Sequence, residues 1–277
     1  MRFNKYFLYA LLIIFNLVWI LPIWPTILVA CKTNIDFTRQ AFWQLPTRMA
    51  FWENAVEAWT TAQLGIYFIN SLLYGLAGSL GAILFSSLAG FALARLRLKG
   101  SYWWFLLIWS GTIFPFQMYV IPLFKFYNMW GLYDTRIGMI LFYMAICIPF
   151  CVFIFRNYFI TISFPIQEAA TLDGCSSFGI YWRIFMPQAK PAIAVLILFQ
   201  FTWIWNDLLF GMILTRSPLA RPIMVGLARL QGFRAGTGTN VPALMAGAVL
   251  GSLPTILLFV GLLRYFIEGL RLSGAGE

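Results

Sequence analysis

The sequence predicts an all-α membrane protein with six transmembrane helices, and three observations carry that expectation. The 277 residues are 61% apolar and only 10% charged, with a mean hydropathy of +0.82. A soluble domain carries about 25% charged residues, so this chain cannot cover its surface in the ordinary way, and its high hydrophobicity excludes the disordered class. Six stretches contain no Asp, Glu, Lys or Arg: 6–31, 58–94, 100–124, 137–155, 191–206 and 235–263. A bilayer crossing takes about 20 apolar residues, which places spans at 6–30, 66–94, 102–124, 137–156, 191–214 and 243–265, with a short interfacial helix near Glu53–Gln63.

Taken in order, the first span begins after Arg2 and Lys5 and ends on Leu28-Val29-Ala30-Cys31, which has the look of a lipoprotein cleavage box. Its length and its Pro22, Trp24 and Pro25 exceed a signal h-region, so it reads as a retained helix. In the second span Ala77 with Gly81, and Ser86 with Gly90, put small residues on one face; Ala243, Gly247 and Gly251 do so in the sixth. Such faces let backbones approach closely in lipid. Pro115 and Pro122 break up the third span and Pro254 interrupts the sixth, each removing a backbone donor. Cys147 and Cys151, one helical turn apart in the fourth span, read as small buried thiols rather than a disulfide or metal pair. Asp207 is the one ionisable residue well inside a span, where burial costs about 2.5–3.5 kcal/mol on insertion scales. With Trp203, Trp205 and Asn206 it either lines a path for a polyhydroxy ligand or bonds to a neighbouring helix.

Charge and missing residues narrow the chemistry. The net charge is +10, from basic residues scattered between apolar runs, a pattern that suits a membrane surface better than nucleic acid. There is no histidine, the commonest general base and metal ligand, and no metal site is expected. No lysine follows a glycine, so no Walker A loop can form and the chain is not a P-loop ATPase by itself. With the N-terminus inside, Lys and Arg split ten inside against nine outside, so charge barely reports orientation.

Residues 157–190, between the fourth and fifth spans, differ from the rest. Ile166–Leu172 suits a short helix, Asp173-Gly174 is a stop-and-turn signal, and Phe178–Phe185 suits a second short helix. The pattern is Glu168-Ala169-Ala170, three residues, Gly174, nine residues, Ile184, two residues, Pro187. It resembles the EAA loop of ABC-importer permeases. Asn70-Ser71-Leu72, Phe91–Gly100, Ile121-Pro122-Leu123, Gly131–Thr135, Trp205-Asn206-Asp207 and Arg264-Tyr265-Phe266 extend the likeness to the carbohydrate-uptake branch, which includes the smaller permease subunit of the maltose transporter.

That resemblance implies a type I importer (MetI-like) fold, with 1–65 as an N-terminal helix plus extracytoplasmic segment and 66–277 as a five-span core. The loop would face the cytoplasm and couple to an ATPase through Glu168, Ala169, Ala170, Asp173, Gly174, Ile184 and Pro187, which puts both termini inside. The implied function is a non-catalytic permease subunit importing a sugar or sugar-like solute (oligosaccharide, glycoside, polyol or glycerol phosphate) across a bacterial plasma membrane. Implied partners are a second permease, two ATPase copies that use ATP and Mg, and a solute-binding protein. The polar segment Arg216–Val241, around Gly232, Phe233, Arg234, Gly236 and Thr237, would meet that binding protein. The tail Leu270–Glu277 departs from the family by lacking a lysine. The competing class is a self-contained secondary transporter, which calls for an inverted repeat and several intramembrane charges; no repeat and one aspartate are seen.

Overall fold

Long apolar runs become the long helices here, and the interruptions fall where proline, glycine or an Asn-Asp pair withholds or diverts a backbone bond. The computed structural model describes residues 5–61, 63–232 and 240–274. Fifteen α-helices follow in order among them: α1 Lys5–Ile20, α2 Ile23–Ala30, α3 Asn34–Arg39, α4 Phe51–Thr61, α5 Leu64–Arg95, α6 Ser101–Ser110, α7 Val120–Met129, α8 Arg136–Thr161, α9 Phe164–Leu172, α10 Ser177–Ile180, α11 Met186–Gln188, α12 Lys190–Trp205, α13 Leu209–Leu214, α14 Ile223–Gly232 and α15 Val241–Gly274.

Among the described residues, four helical stretches are long and apolar enough to cross a membrane: Lys5–Ala30, Leu64–Arg95, Arg136–Thr161 and Val241–Tyr265. A fifth forms if Ser177–Gln188 and Lys190–Trp205, bent by 74° at Ala189, count as one span. The expected third span is broken: α6 stops at Ser110, and a 3-10 turn at Phe116–Tyr119 precedes α7. Pro115, with no N–H to give, stands at that break. The expected fifth span stops at Trp205, and Asn206 and Asp207 intervene before α13. Pro149 and Pro254 lie inside α8 and α15 without ending either helix.

The chain divides into two compact units. One combines the residues up to Gly65 with Val225–Leu253. There Ala30, Ala55 and Ala246 form a small core, and a methyl on Gly247 would meet Leu64 Cδ1 at 2.9 Å. The buried Asn54 amide donates to the carbonyls of Ala30 and Lys32, both at 2.8 Å. The buried Asp36 carboxylate accepts from the Thr47 amide at 3.2 Å and the Thr47 hydroxyl at 2.7 Å. None of the residues of α1 is buried.

The second unit, Ile66–Met224 with residues from Pro254 onward, holds the main core. Its fully buried side chains include Tyr74, Tyr143, Phe155, Phe159, Phe185 and Phe210. Helices α5 and α8 approach so closely that a methyl on Gly81 would lie 2.8 Å from Met144 Sδ, and one on Gly90 would lie 2.7 Å from Phe155 Cβ. Between them the Ser86 hydroxyl donates to the Ile148 carbonyl at 3.2 Å. The small-residue faces expected of spans two and six are therefore packing faces.

Candidate functional site

The 157–190 segment folds as a helix, a tight turn and a second, irregular helix. Pro165 lies in the first turn of α9, where its missing N–H costs nothing. The helix closes with the Gly174 amide donating to Thr171 at 3.1 Å and the Cys175 amide donating to Ala170 at 3.0 Å. Gly174 has φ +80° and empty space around its α-carbon. This is the Schellman pattern, with glycine in the left-handed position. Ser176 then caps α10 by accepting from the Gly179 amide at 3.1 Å. The next turn, Tyr181–Phe185, widens to π geometry ahead of Pro187, which cannot donate to the Arg183 carbonyl.

These bonds sort the expected coupling residues into two faces. Glu168, Ala169, Asp173, Gly174 and Pro187 are exposed, and Leu172 beside them is 88% exposed. Ala170 is buried and Ile184 is half-buried, both against the core of this unit. The small side chain of Ala170 thus lets α9 sit down on its own protein, whereas Ala169 is left open.

The second polar group lies at the break between α12 and α13. Asp207 accepts from the Tyr143 hydroxyl at 2.9 Å, the Gly211 amide at 3.0 Å and the Phe210 amide at 3.4 Å. Its carboxylate therefore caps α13 and ties it to α8. Asn206 is exposed and donates to the Thr202 carbonyl at 2.8 Å. A cavity of about 540 Å³ is lined by Phe116, Gln117, Thr202, Trp203, Asn206 and Asp207, among others. Trp205 is not in that lining; it is 2% exposed and packs on Phe201 and Phe68.

A third group pins the segment that joins α13 to α14. Asp134, at φ +57°, accepts from the Arg216 amide at 2.7 Å and the Ser217 amide at 2.8 Å. The fully buried Asn70 donates to the carbonyls of Pro218 and Arg221, and accepts from Arg136 Nε at 2.9 Å. Ser71 accepts from the Ile223 amide and Tyr74 donates to the Ala220 carbonyl, both at 2.7 Å. Beyond this segment Gly232 ends α14, while Phe233, Arg234, Gly236 and Thr237 lie outside the described residues.

The family described as "Binding-protein-dependent transport system inner membrane component" matches residues 82–272. The chain belongs to this family. It is a non-catalytic, transmembrane permease subunit of an ABC importer and couples to an ATPase. The permease is 31% identical to the arabinooligosaccharides transport system permease protein AraQ of Halalkalibacterium halodurans, over 92% of this chain and 90% of that one. To AraQ of Bacillus subtilis it is 35% identical over 75% of this chain and 72% of the other. The fold matches one chain of a bacterial ABC transporter involved in importing the acidic polysaccharide alginate, with TM-score 0.83, 25% identity, and coverage of 96% and 98%. Family membership displaces the self-contained secondary transporter as an alternative.

Sequence reasoning singled out Asp207 in this permease but missed Tyr143, its partner on α8. Asn70, Ser71 and Asp134 entered it only as marks of resemblance, and Arg95 only as that and as part of the basic cluster with Arg97 and Lys99 that favours an inside N-terminus. A buried asparagine next to serine at the start of a long apolar run was a usable signal, because buried polar groups must find partners.

Proposed function

We propose that this permease carries a sugar or sugar-like solute across a bacterial plasma membrane, as half of a translocation path completed by a second, different permease. In this reading the chain crosses six times with both termini in the cytoplasm, the broken 102–124 and 191–214 segments supplying the third and fifth crossings. Two ATPase copies dock from the cytoplasm, using ATP and Mg that this chain does not bind, and a solute-binding protein docks from outside. The relatives named for arabinooligosaccharides support the carbohydrate class, as do the aromatic and amide groups of Trp203, Gln117 and Asn206 around one cavity. By its motifs the chain also resembles the smaller permease subunit of the maltose transporter.

The observation that carries the coupling role is the closed α9 turn. Three consecutive hydrogen bonds, from Asp173, Gly174 and Cys175, fix the end of α9 and leave Glu168, Ala169, Leu172 and Asp173 presented together on a short rigid knob. A push on such a knob is passed on rather than absorbed by local bending. Glu168 is free to meet a basic ATPase residue, and Ala169 is small enough to enter a groove. The pinned 216–223 segment leads into the 232–237 stretch proposed to meet the binding protein.

A photoreactive residue in place of Leu172, in the membrane of a cell holding the whole transporter, tests this assignment. Crosslinking to the ATPase is expected there, and none from Leu219, which is also exposed but lies on the 216–223 segment. Crosslinking from Leu219 and not from Leu172 would reverse the orientation and remove the coupling role.

A further inference from the structure

Arg95, the last residue of α5, contacts the end of α8 and both halves of the proposed coupling loop. Its Nε donates to the Phe159 carbonyl at 3.0 Å, and its Nη2 donates to the carbonyls of Phe159 and Ile162. Those carbonyls belong to the end of α8, where the helix can supply no further i+4 donors. The same guanidinium lies over the Phe185 ring, 5.0 Å from its centroid. Phe185 is fully buried in the widened turn and packs on Phe91 of α5 and Phe159 of α8, with ring centroids 5.0 and 5.5 Å apart. The backbone carbonyl of Arg95 accepts from Gln167 Nε2 of α9 at 3.4 Å. Nearby the Ser87 and Tyr181 hydroxyls share a bond of 2.7 Å, again joining α5 to the loop.

A planar, permanently charged fork is suited to this position. It satisfies two carbonyls at once while its face rests on an aromatic ring, and an ammonium group cannot reproduce both contacts. The covalent link between α8 and α9 is only Ile162-Ser163, an extended pair that would hinge under load without a cross-brace.

We propose that Arg95 is a positioning residue that locks the coupling loop to the inner ends of α5 and α8, so that a displacement of α9 by the ATPase moves all three as one body. This rests on the reading of 157–190 as the ATPase-coupling loop. Removing the brace uncouples the motion without removing the docking surface, since Arg95 is not among the exposed residues of the α9 knob.

Spin labels test it in the whole transporter, purified with its second permease and ATPase. Labels replace Leu172 on the knob and Phe85 on α5, both exposed, with Cys175→Ser to remove the half-exposed thiol. The distance is read without nucleotide and after trapping with MgATP and vanadate. With Arg95 present it stays constant; in Arg95→Met it changes by about 2 Å or more, the scale of helix shifts in switching proteins. Arg95→Lys, which keeps the charge but not the planar fork, gives a broadened distribution between the two, and it is read alone if Arg95→Met fails to accumulate. A constant distance in the variant overturns the proposal, as does loss of the ATPase from Arg95→Met, which would make Arg95 part of the dock. Retention of the ATPase by Gly174→Val would instead reject the coupling loop itself, so the two failures are distinguishable.

Discussion

Asp207 illustrates how a charged residue is tolerated inside an apolar segment. Its oxygens accept from Tyr143, Gly211 and Phe210, so the carboxylate replaces the backbone acceptors that α13 lacks at its first turn. Asp207→Asn keeps an acceptor oxygen and is expected to insert normally and to transport at nearly the rate of the natural chain. Asp207→Leu leaves the fully buried Tyr143 hydroxyl and the Gly211 amide without an acceptor. At about 1–3 kcal/mol for each such group, a marked loss of membrane-inserted protein is expected. Quantifying inserted permease and uptake for both variants checks this; normal yield with lost uptake in Asp207→Asn would make the carboxylate a solute contact. Asp207 stood out in the sequence because a lone charge in a span has to be matched. Tyr143 did not, because the two lie 64 positions apart and nothing in helical periodicity pairs them.

Among elements, the α9–α10 turn was the most legible, since Asp-Gly after a helical run and serine before the next one state their own geometry. The widened turn before Pro187 was not, because a proline can bend, widen or end a helix and packing chooses among these. Hydropathy alone could not see the break at 111–119, where the apolar run continues while the backbone leaves the helix, although Pro115 marked it; the break at 206–208 coincides with the polar pair Asn206-Asp207. The short α3 region carries its own test. Hydrogen bonds from Thr47, first through its hydroxyl and then through its amide, and from Thr33 hold the Asp36 carboxyl below the usual carboxylate range. The folded state thus binds this proton less readily than the unfolded chain. The associated stability is present above the ordinary value of about 3.9 and is lost as pH falls through the folded-state value. Pepsin cleavage between Thr33 and Thr47 is expected to accelerate as pH falls below about 3.9, beyond the enzyme's own pH dependence on an unfolded peptide. Thr47→Val should remove much of that excess. An excess unchanged in Thr47→Val would contradict the role given to this carboxylate.

At the scale of the whole molecule, composition alone indicated a membrane protein, and the spacing Glu168-Ala169-Ala170, Gly174, Ile184, Pro187 indicated the family that residues 82–272 match. Orientation was not legible from charge, because Lys and Arg divide almost evenly between the two sides. Nor could spacing show that Ala170 and Ala169 face opposite ways, one into this chain's core and one outward. In the proposed coupling, force arrives at a short knob fixed to long helices, and the 164–187 segment is the ATPase dock. Gly174 is the place to test this. A side chain at Gly174 meets nothing within 4 Å, so Gly174→Val acts through the φ of +80° alone, a strain of about 1–2 kcal/mol or more for a branched residue. The turn should open while the spans stay inserted. The measurement is the ratio of ATPase to permease after purification from the membrane in mild detergent. A several-fold fall in that ratio at unchanged permease yield is expected; a ratio equal to that of the natural chain would remove the docking role from this segment.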